Sequence, residues 1–203
     1  RSFGLRVRSR VVKDDVEAIR AAIYEALDRA DVVLTSGGAW KSEKDVVVKV
    51  LDDLGWKMIY HRVKMGPGKA IAFGLFDSKV VFCLPGGPPS NEVAFLQLVL
   101  PAVFKLCGLR RSLIPVVKAR LAGKVSGQSD WTQFIYGRLK HSDAGFVVEP
   151  ITLKRRLQDM AEANCIFMVS EGVDILKEGS IVDVQLLRPH TLAPNLSANA
   201  VED

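Results

Sequence analysis

Three short stretches hold the residues whose types and spacing could do chemistry. The first is Ser36-Gly37-Gly38, with Glu43 and Asp45 shortly after it. Adjacent glycines let consecutive backbone N–H groups point the same way, and such a nest takes phosphate or another oxyanion. Carboxylates beside it are hard oxygen ligands that suit Mg²⁺ better than a soft metal. The second stretch is Met65-Gly66-Pro67-Gly68-Lys69, a turn with one cation. The third is Leu84-Pro85-Gly86-Gly87-Pro88-Pro89-Ser90, another Pro/Gly turn. His61, His141 and His190 are scattered without metal-ligand spacing, which argues against a zinc site or a histidine base. Taken alone, a Gly-Gly pair lacking the dinucleotide or Walker spacing also reads as an ordinary strand-to-helix turn.

The elements around these stretches would position them. Asp31 to Thr35 is an apolar β-branched run, read as a short buried strand, and a helix from Glu43 to Leu54 follows the glycines. Val81 to Leu84 is a second buried strand that ends in the Pro85-Gly86 turn, again with a helix behind it. In open α/β sheets ligands sit at the carboxyl ends of the strands. The two strands are therefore expected as neighbours, with Gly37-Gly38 facing Pro85-Gly86 at one edge.

The order of these motifs, SGG…D, then PGK, then LPGxPxS, resembles the MoeA/gephyrin family, the molybdopterin molybdenumtransferases. Members carry TGGxSxGxxD, KPGKP and LPGNPxS, and the likeness runs over about residues 11 to 188. The resemblance implies a three-layer α/β molybdopterin-binding-like domain followed by a small C-terminal β-barrel. It implies a reaction: molybdate is inserted into adenylylated molybdopterin and AMP is released. It also implies Mg²⁺, a homodimer and a cytoplasmic setting. On that footing Gly37 and Gly38 supply N–H groups to the ligand, and Asp45 with Glu43 holds the metal or orients the oxyanion. Lys69 neutralises charge, and Pro85, Gly86 and Ser90 form the opposite wall. The chain departs from the pattern at Ala39-Trp40-Lys41-Ser42, at Gly66 and Ala70, and at Gly87, where the family has asparagine. Lys64 or Lys41 is a stand-in for the lysine lost at Gly66.

Plainer readings stand beside these. Asp45 is also a helix-start carboxylate, Lys69 a solvated turn lysine and Ser90 a helix N-cap. Trp40 is either a stacking platform for a ring or a plug in the pocket. The departures admit a second class of function, a non-catalytic relative that binds a pterin or a protein partner.

The remaining sequence sets the frame. The 203 residues are 48% apolar and 25% charged, as in a globular chain with a real core. No apolar run is long enough to cross a bilayer, and the chain opens without Met or an h-region. The net charge of +5 is spread out, with Arg110-Arg111 and Lys154-Arg155-Arg156 as the local clusters. That favours a small anionic ligand over nucleic acid. Cys83, Cys107 and Cys165 read as buried free thiols.

Arg1 to Lys13 reads as the remainder of a strand plus a loop, and a helix capped by Asp14 or Asp15 follows to about Arg29. Trp56 to Lys64 is strand-like. Asp77-Ser78 signals a hairpin, and Ser90 or Asn91 would cap a helix that Pro101 should kink. From Val116 short strands recur between glycines, the pattern of a small barrel or sandwich, with one helical turn at Leu157–Asn164. The expected division is an α/β domain over 1–110 lacking its first strand, a β-barrel over 111–190 and a flexible tail over 191–203. The chain reads as part of a longer protein.

Overall fold

The computed structural model describes residues 5–37, 46–109 and 114–187. Two compact units emerge. One comprises residues 1–62 and 70–86, the other residues 63–69 and 87 onward.

In the first unit, residues 5–13 form neither strand nor helix, so the strand remainder expected there is absent. The segment is mostly exposed, with Val11 99% accessible, and Val12 packs against the core of this unit. Helix α1 (Val16–Arg29) begins where Asp15 accepts from the Ala18 N–H at 2.9 Å, satisfying one orphan donor of the first turn. Ile19, Ile23 and Leu27 recur at four-residue spacing and bury one stripe. Strand β1 (Val32–Ser36) follows, then α2 (Val46–Asp53), which buries Val48, Val50 and Leu51. Strand β2 (Lys57–His61) comes next in this unit.

Strands β4 (Ala72–Phe76) and β5 (Lys79–Leu84) form the hairpin that Asp77-Ser78 signals, with Asp77 in the left-handed region at φ 50°. The sheet runs β1-β5-β4-β2, with β1 parallel to β5 and the other pairs antiparallel. Strand β5 has a partner on both sides and its last four residues are all buried, Val81 and Cys83 in the core with residues of α1 and α2. Strand β1 lies at the sheet edge among the described residues. Only Val33 is fully buried and Leu34 is 42% exposed, so the reading of β1 as a buried strand is corrected. The core joins Ile19, Ile23 and Leu27 of α1 to Val50, Leu51, Trp56, Val33, Val81 and Cys83. Each large apolar side chain buried there contributes about 1.5–3 kcal/mol.

The second unit contains β3 (Met65–Gly66), helix α3 (Pro88–Ala94), a π-helical turn over Phe95–Val99 and α4 (Leu100–Leu106). One expectation for this helix fails. Its N-cap is Gly87, not Ser90 or Asn91, because Pro88 takes the first helical position, where a missing N–H is harmless. The regular α-helix is interrupted just ahead of Pro101, where the sequence puts a kink. The wide turn ahead of it, in which the Leu100 N–H reaches the Phe95 carbonyl, puts Pro101 in the first turn of α4.

The barrel strands are β6 (Val116–Leu121), β8 (Thr132–Ser142), β9 (Gly145–Pro150), β10 (Cys165–Val169) and β12 (Ile181–Leu186). They pair in the order β10-β12-β6-β9-β8, and β8 returns to β10, which closes a five-stranded barrel. Short strands β7 (Val125–Ser126) and β11 (Ile175–Leu176) pair with each other, and helix α5 (Leu157–Glu162) precedes β10. The interior is apolar, with Leu121, Val148, Phe167 and Val184 each almost fully buried. The fold class is thus α/β followed by a closed β-barrel. Strand β3 adds to the outside of this ring, parallel to β8, with Met65 opposite Thr132 and Gly66 opposite Gln133.

Two of the three thiols are buried as expected. Cys107 is exposed, because it lies just past the end of α4 where no core covers it.

Candidate functional site

In the first unit the parallel register sets Ser36 opposite Leu84, so both strands end together. The Gly37 N–H donates to the Leu84 carbonyl at 3.0 Å, which continues the ladder into the turn. Gly37 has φ +93°, a conformation a side chain resists. A Cβ at Gly86 would stand 3.6 Å from the Gly37 Cα, so the two turns lie backbone against backbone. Pro85 is buried beneath them and Gly86 is exposed. Gly37 and Gly86 thus bring backbone against backbone at the carboxyl ends of two parallel strands, where ligands of open α/β sheets sit.

Cys83 is opposite Thr35 in the same register, just before the turn. Burial pushes its thiol up to about 11 from 9.0, so it stays protonated at neutral pH and is no nucleophile. Gly38, Glu43 and Asp45 lie outside the described residues, as do Trp40 and Lys41. Among the described residues no three His, Cys, Asp or Glu side chains cluster to hold a metal ion.

The second unit holds Lys69 and Ser90. The loop over residues 63–69 is tightly seated. Gly68 has φ +111°, and a Cβ there would meet Met65 Cε at 2.8 Å, the Ser90 carbonyl at 3.2 Å and the Ala94 nitrogen at 3.3 Å. Ser90 thus meets this loop through its backbone, within the first turn of α3. The Val63 N–H donates to the Lys69 carbonyl at 3.1 Å, closing the loop. Lys69 is exposed, and its Nζ lies 5.0 Å from the centre of the Trp131 ring. Lys64 pairs with Glu171 at 3.2 Å; both are well exposed, so the pair adds about 0–1 kcal/mol.

Helix α3 is tied to the barrel in the same unit. The buried Tyr136 hydroxyl donates to Glu92 Oε2 at 2.6 Å. Burial, then the adjoining Glu92 carboxylate, raises the phenol above its ordinary pKa, so it remains a donor. Val93, Tyr136, Ala163 and Ile166 pack around this bond.

Sequence reasoning missed Trp131, Glu92, Tyr136 and Glu171. Each is ordinary in its local sequence, and only strand pairing or helix docking reveals its partner.

Comparison with known proteins bears on this geometry. Residues 1–105 match the probable molybdopterin binding domain, and residues 118–187 match the MoeA C-terminal region, domain IV. The chain belongs to the MoeA family. Among MoeA relatives, molybdopterin molybdenumtransferase of Staphylococcus aureus is 28% identical over 176 residues, covering 86% of this chain and 42% of its own length. Molybdopterin molybdenumtransferase 1 of Mycobacterium tuberculosis is 31% identical over 189 residues, covering 89% and 44%. A crystal structure of a molybdopterin biosynthesis MoeA protein from Pyrococcus horikoshii superposes with a TM-score of 0.72 at 32% identity, covering 87% of this chain and 42% of that one. The chain spans less than half the length of these relatives. Among the described residues no helix is long and apolar enough to cross a membrane.

Proposed function

We propose that the protein acts in molybdenum cofactor biosynthesis as a molybdopterin molybdenumtransferase. It would take adenylylated molybdopterin and molybdate as substrates and release AMP. The observation that carries this reading is the close backbone approach of Gly37 and Gly86 at the ends of parallel β1 and β5. The Gly37 N–H is bonded to the Leu84 carbonyl, so hydrogen bonds to an oxyanion or pyrophosphate would come from the other N–H groups of the two turns.

Gly37, Gly38, Pro85 and Gly86 are assigned to ligand binding, with Ser90 at the start of α3. Lys69 offsets the substrate's negative charge. Asp45 with Glu43 is assigned to Mg²⁺, whose chemistry would be to neutralise phosphate oxygens. The same reading takes the chain as an α/β portion to about residue 110 and a barrel over 111–190. It takes the protein as a cytoplasmic homodimer whose partner is a small pterin, not nucleic acid or membrane. The matched segments, 1–105 and 118–187, support that division.

Single-turnover AMP release by the full-length protein, with adenylylated pterin and molybdate, tests the reading. Asp45→Asn keeps the side chain's shape and removes its charge. It is expected to abolish release, a loss of several kcal/mol of transition-state stabilisation by analogy with other metal-ion sites. Equal release from both proteins would remove the role given to Asp45.

A second reading rests on Gly66, where the family has lysine. It makes the protein a pterin binder without turnover, and it requires that wild type bind the substrate and release no AMP. A Cβ at Gly66 meets nothing within 4 Å, and Gly66→Lys should restore release if that lysine is what is missing.

A further inference from the structure

The barrel unit has an open strand edge beside an apolar groove, and neither belongs to the three motifs. Strand β7 pairs on one side only, with β11, in the register Val125 opposite Leu176 and Ser126 opposite Ile175. The Gly127 N–H donates to the Asp174 carbonyl at 2.7 Å, so Gly127 and Val125 turn their backbone groups toward β11. Lys124 and Ser126 alternate with them and turn theirs away. Outside the β7–β11 ladder, Lys124 and Ser126 make no hydrogen bond among the described residues.

Beside this edge runs a groove of about 340 Å³. Lys124 and Ser126 line it from the β7 side, Phe134 from β8, and Ile151 and Leu153 from just past β9. Phe134, Ile151 and Leu153 pack onto the buried Tyr136 and Ile166, yet each is only half covered. The charges around the groove are one-sided. Cations of the barrel strands elsewhere have carboxylate partners: Lys118 has Asp183 at 3.0 Å, Arg138 has Glu162 at 2.9 Å and Lys140 has Glu149 at 2.6 Å. In the Lys154-Arg155-Arg156 cluster, Arg155 is held by the buried Asp159 and by Glu162. Among the described residues Lys124 has no such partner, nor has Lys154, which follows Leu153 and is exposed.

We propose that this edge is a docking site for an extended segment of a protein partner in which apolar and acidic side chains alternate. Strand addition joins the N–H and C=O groups of the incoming segment to those of Lys124 and Ser126. Side chains of the added strand then point alternately to the two faces that β7 presents. Those on the side of the buried Val125 enter the groove against Phe134, Ile151 and Leu153. Those on the side of Lys124 stand at the surface, where a carboxylate meets Lys124, and Lys154 adds positive potential at the groove's end. A basic segment gains the same backbone bonds against like charge, so the cations select the sign of the partner. The inference concerns the barrel unit by itself and does not rest on the proposed reaction.

The probe is a fluorescein-labelled peptide of alternating valine and glutamate, titrated into the full-length protein and followed by anisotropy. A matched peptide of alternating valine and lysine should bind more weakly by about tenfold at low salt. Lys124→Glu changes an exposed side chain and should weaken the valine–glutamate peptide by about three- to tenfold. Ser126→Pro removes an edge N–H and should abolish binding of either peptide. Lys124→Glu keeps the test decisive if the proline disturbs β7 itself.

Hydrogen exchange locates the contact. The Ser126 amide should exchange more slowly with the valine–glutamate peptide bound, while Gly127, already bonded to Asp174, should not change. Equal binding of the two peptides, binding of neither, unchanged affinity in Lys124→Glu, or binding without protection at Ser126 each overturns the proposal. Protection at Ser126 that instead rises with the concentration of the protein alone would give the edge to a second copy of this chain and overturn the partner named here.

Discussion

The Gly37–Gly86 edge and the Lys69 loop are built on opposite principles. The first is built from backbone: strands β1 and β5 end together, the Gly37 N–H continues the ladder to the Leu84 carbonyl, and a Cβ at Gly86 would stand 3.6 Å from the Gly37 Cα. The second presents one lysine on a loop packed against α3. The difference shows in what a methyl group would meet. At Gly86 it would find the Gly37 Cα at 3.6 Å, ordinary van der Waals distance. At Gly68 it would find Met65, Ser90 and Ala94 all inside 3.4 Å. A backbone-built site tolerates substitution as a fold and fails as a binder. A packed loop fails as a fold first.

Substitutions at these two glycines should therefore break in opposite ways. Gly68→Ala has the largest expected effect on stability, about 2–5 kcal/mol, from a disfavoured backbone conformation and overpacking together. Urea unfolding measures it, and a loss under 1 kcal/mol would show that the loop is looser than its contacts indicate. Gly86→Ala should leave unfolding within about 0.5 kcal/mol of wild type. It should weaken pyrophosphate or adenylylated-pterin binding by about tenfold, near 1.4 kcal/mol, in calorimetry. Unchanged affinity would end the backbone-edge assignment.

Alkaline titration sharpens the comparison, because each region rests on buried protonated groups. Cys83 lies just before the glycine edge, and Tyr136 anchors α3 beside the lysine loop. Burial raises Cys83 to about 11 and Cys165 to about 12, both from 9.0, and raises Tyr136 as well. A raised folded-state pKa means that the stabilisation is complete below the unfolded value and is lost as pH rises through the folded one. Stability should accordingly hold to about pH 9 and decline from there through pH 11. Chemical unfolding at a series of pH values measures this, and a flat profile across that window would contradict it.

The same burial predicts selective thiol chemistry. In the native protein Cys107 should react with a thiol reagent within minutes at pH 8, whereas Cys83 and Cys165 should react only after unfolding. Counting modified sites by mass spectrometry decides it.

The smallest effect belongs to Gly87→Asn. Gly87 is the N-cap of α3 with no side-chain cap bond, and a Cβ there meets nothing within 4 Å. Asparagine at that position should add a few tenths of a kcal/mol, read from the shift in melting temperature.

Much of the architecture was legible because local pattern and tertiary outcome agreed. The alternating strands from Val116 onward, the Asp15 cap and the Asp77-Ser78 hairpin each depend on neighbours in sequence. So did the parallel ends of β1 and β5, since two apolar runs each ending in a glycine turn leave few other pairings. The exposure of Leu34 and Cys107 was not legible, because apolar character alone does not say which face another element will cover.

By itself the sequence determined which residue types were on offer: a glycine edge, one lysine in a tight turn, and two runs of elements with different hydrophobic periods. Only the tertiary structure decided that Met65 and Gly66 join β8 of the barrel, and hence that Lys69 lies by Trp131. The physical reason is range. Helix caps, turns and strand alternation are settled by residues a few positions apart. The company of an exposed side chain is set by which strand edge its loop finds, and a two-residue strand carries no periodicity from which that could be read.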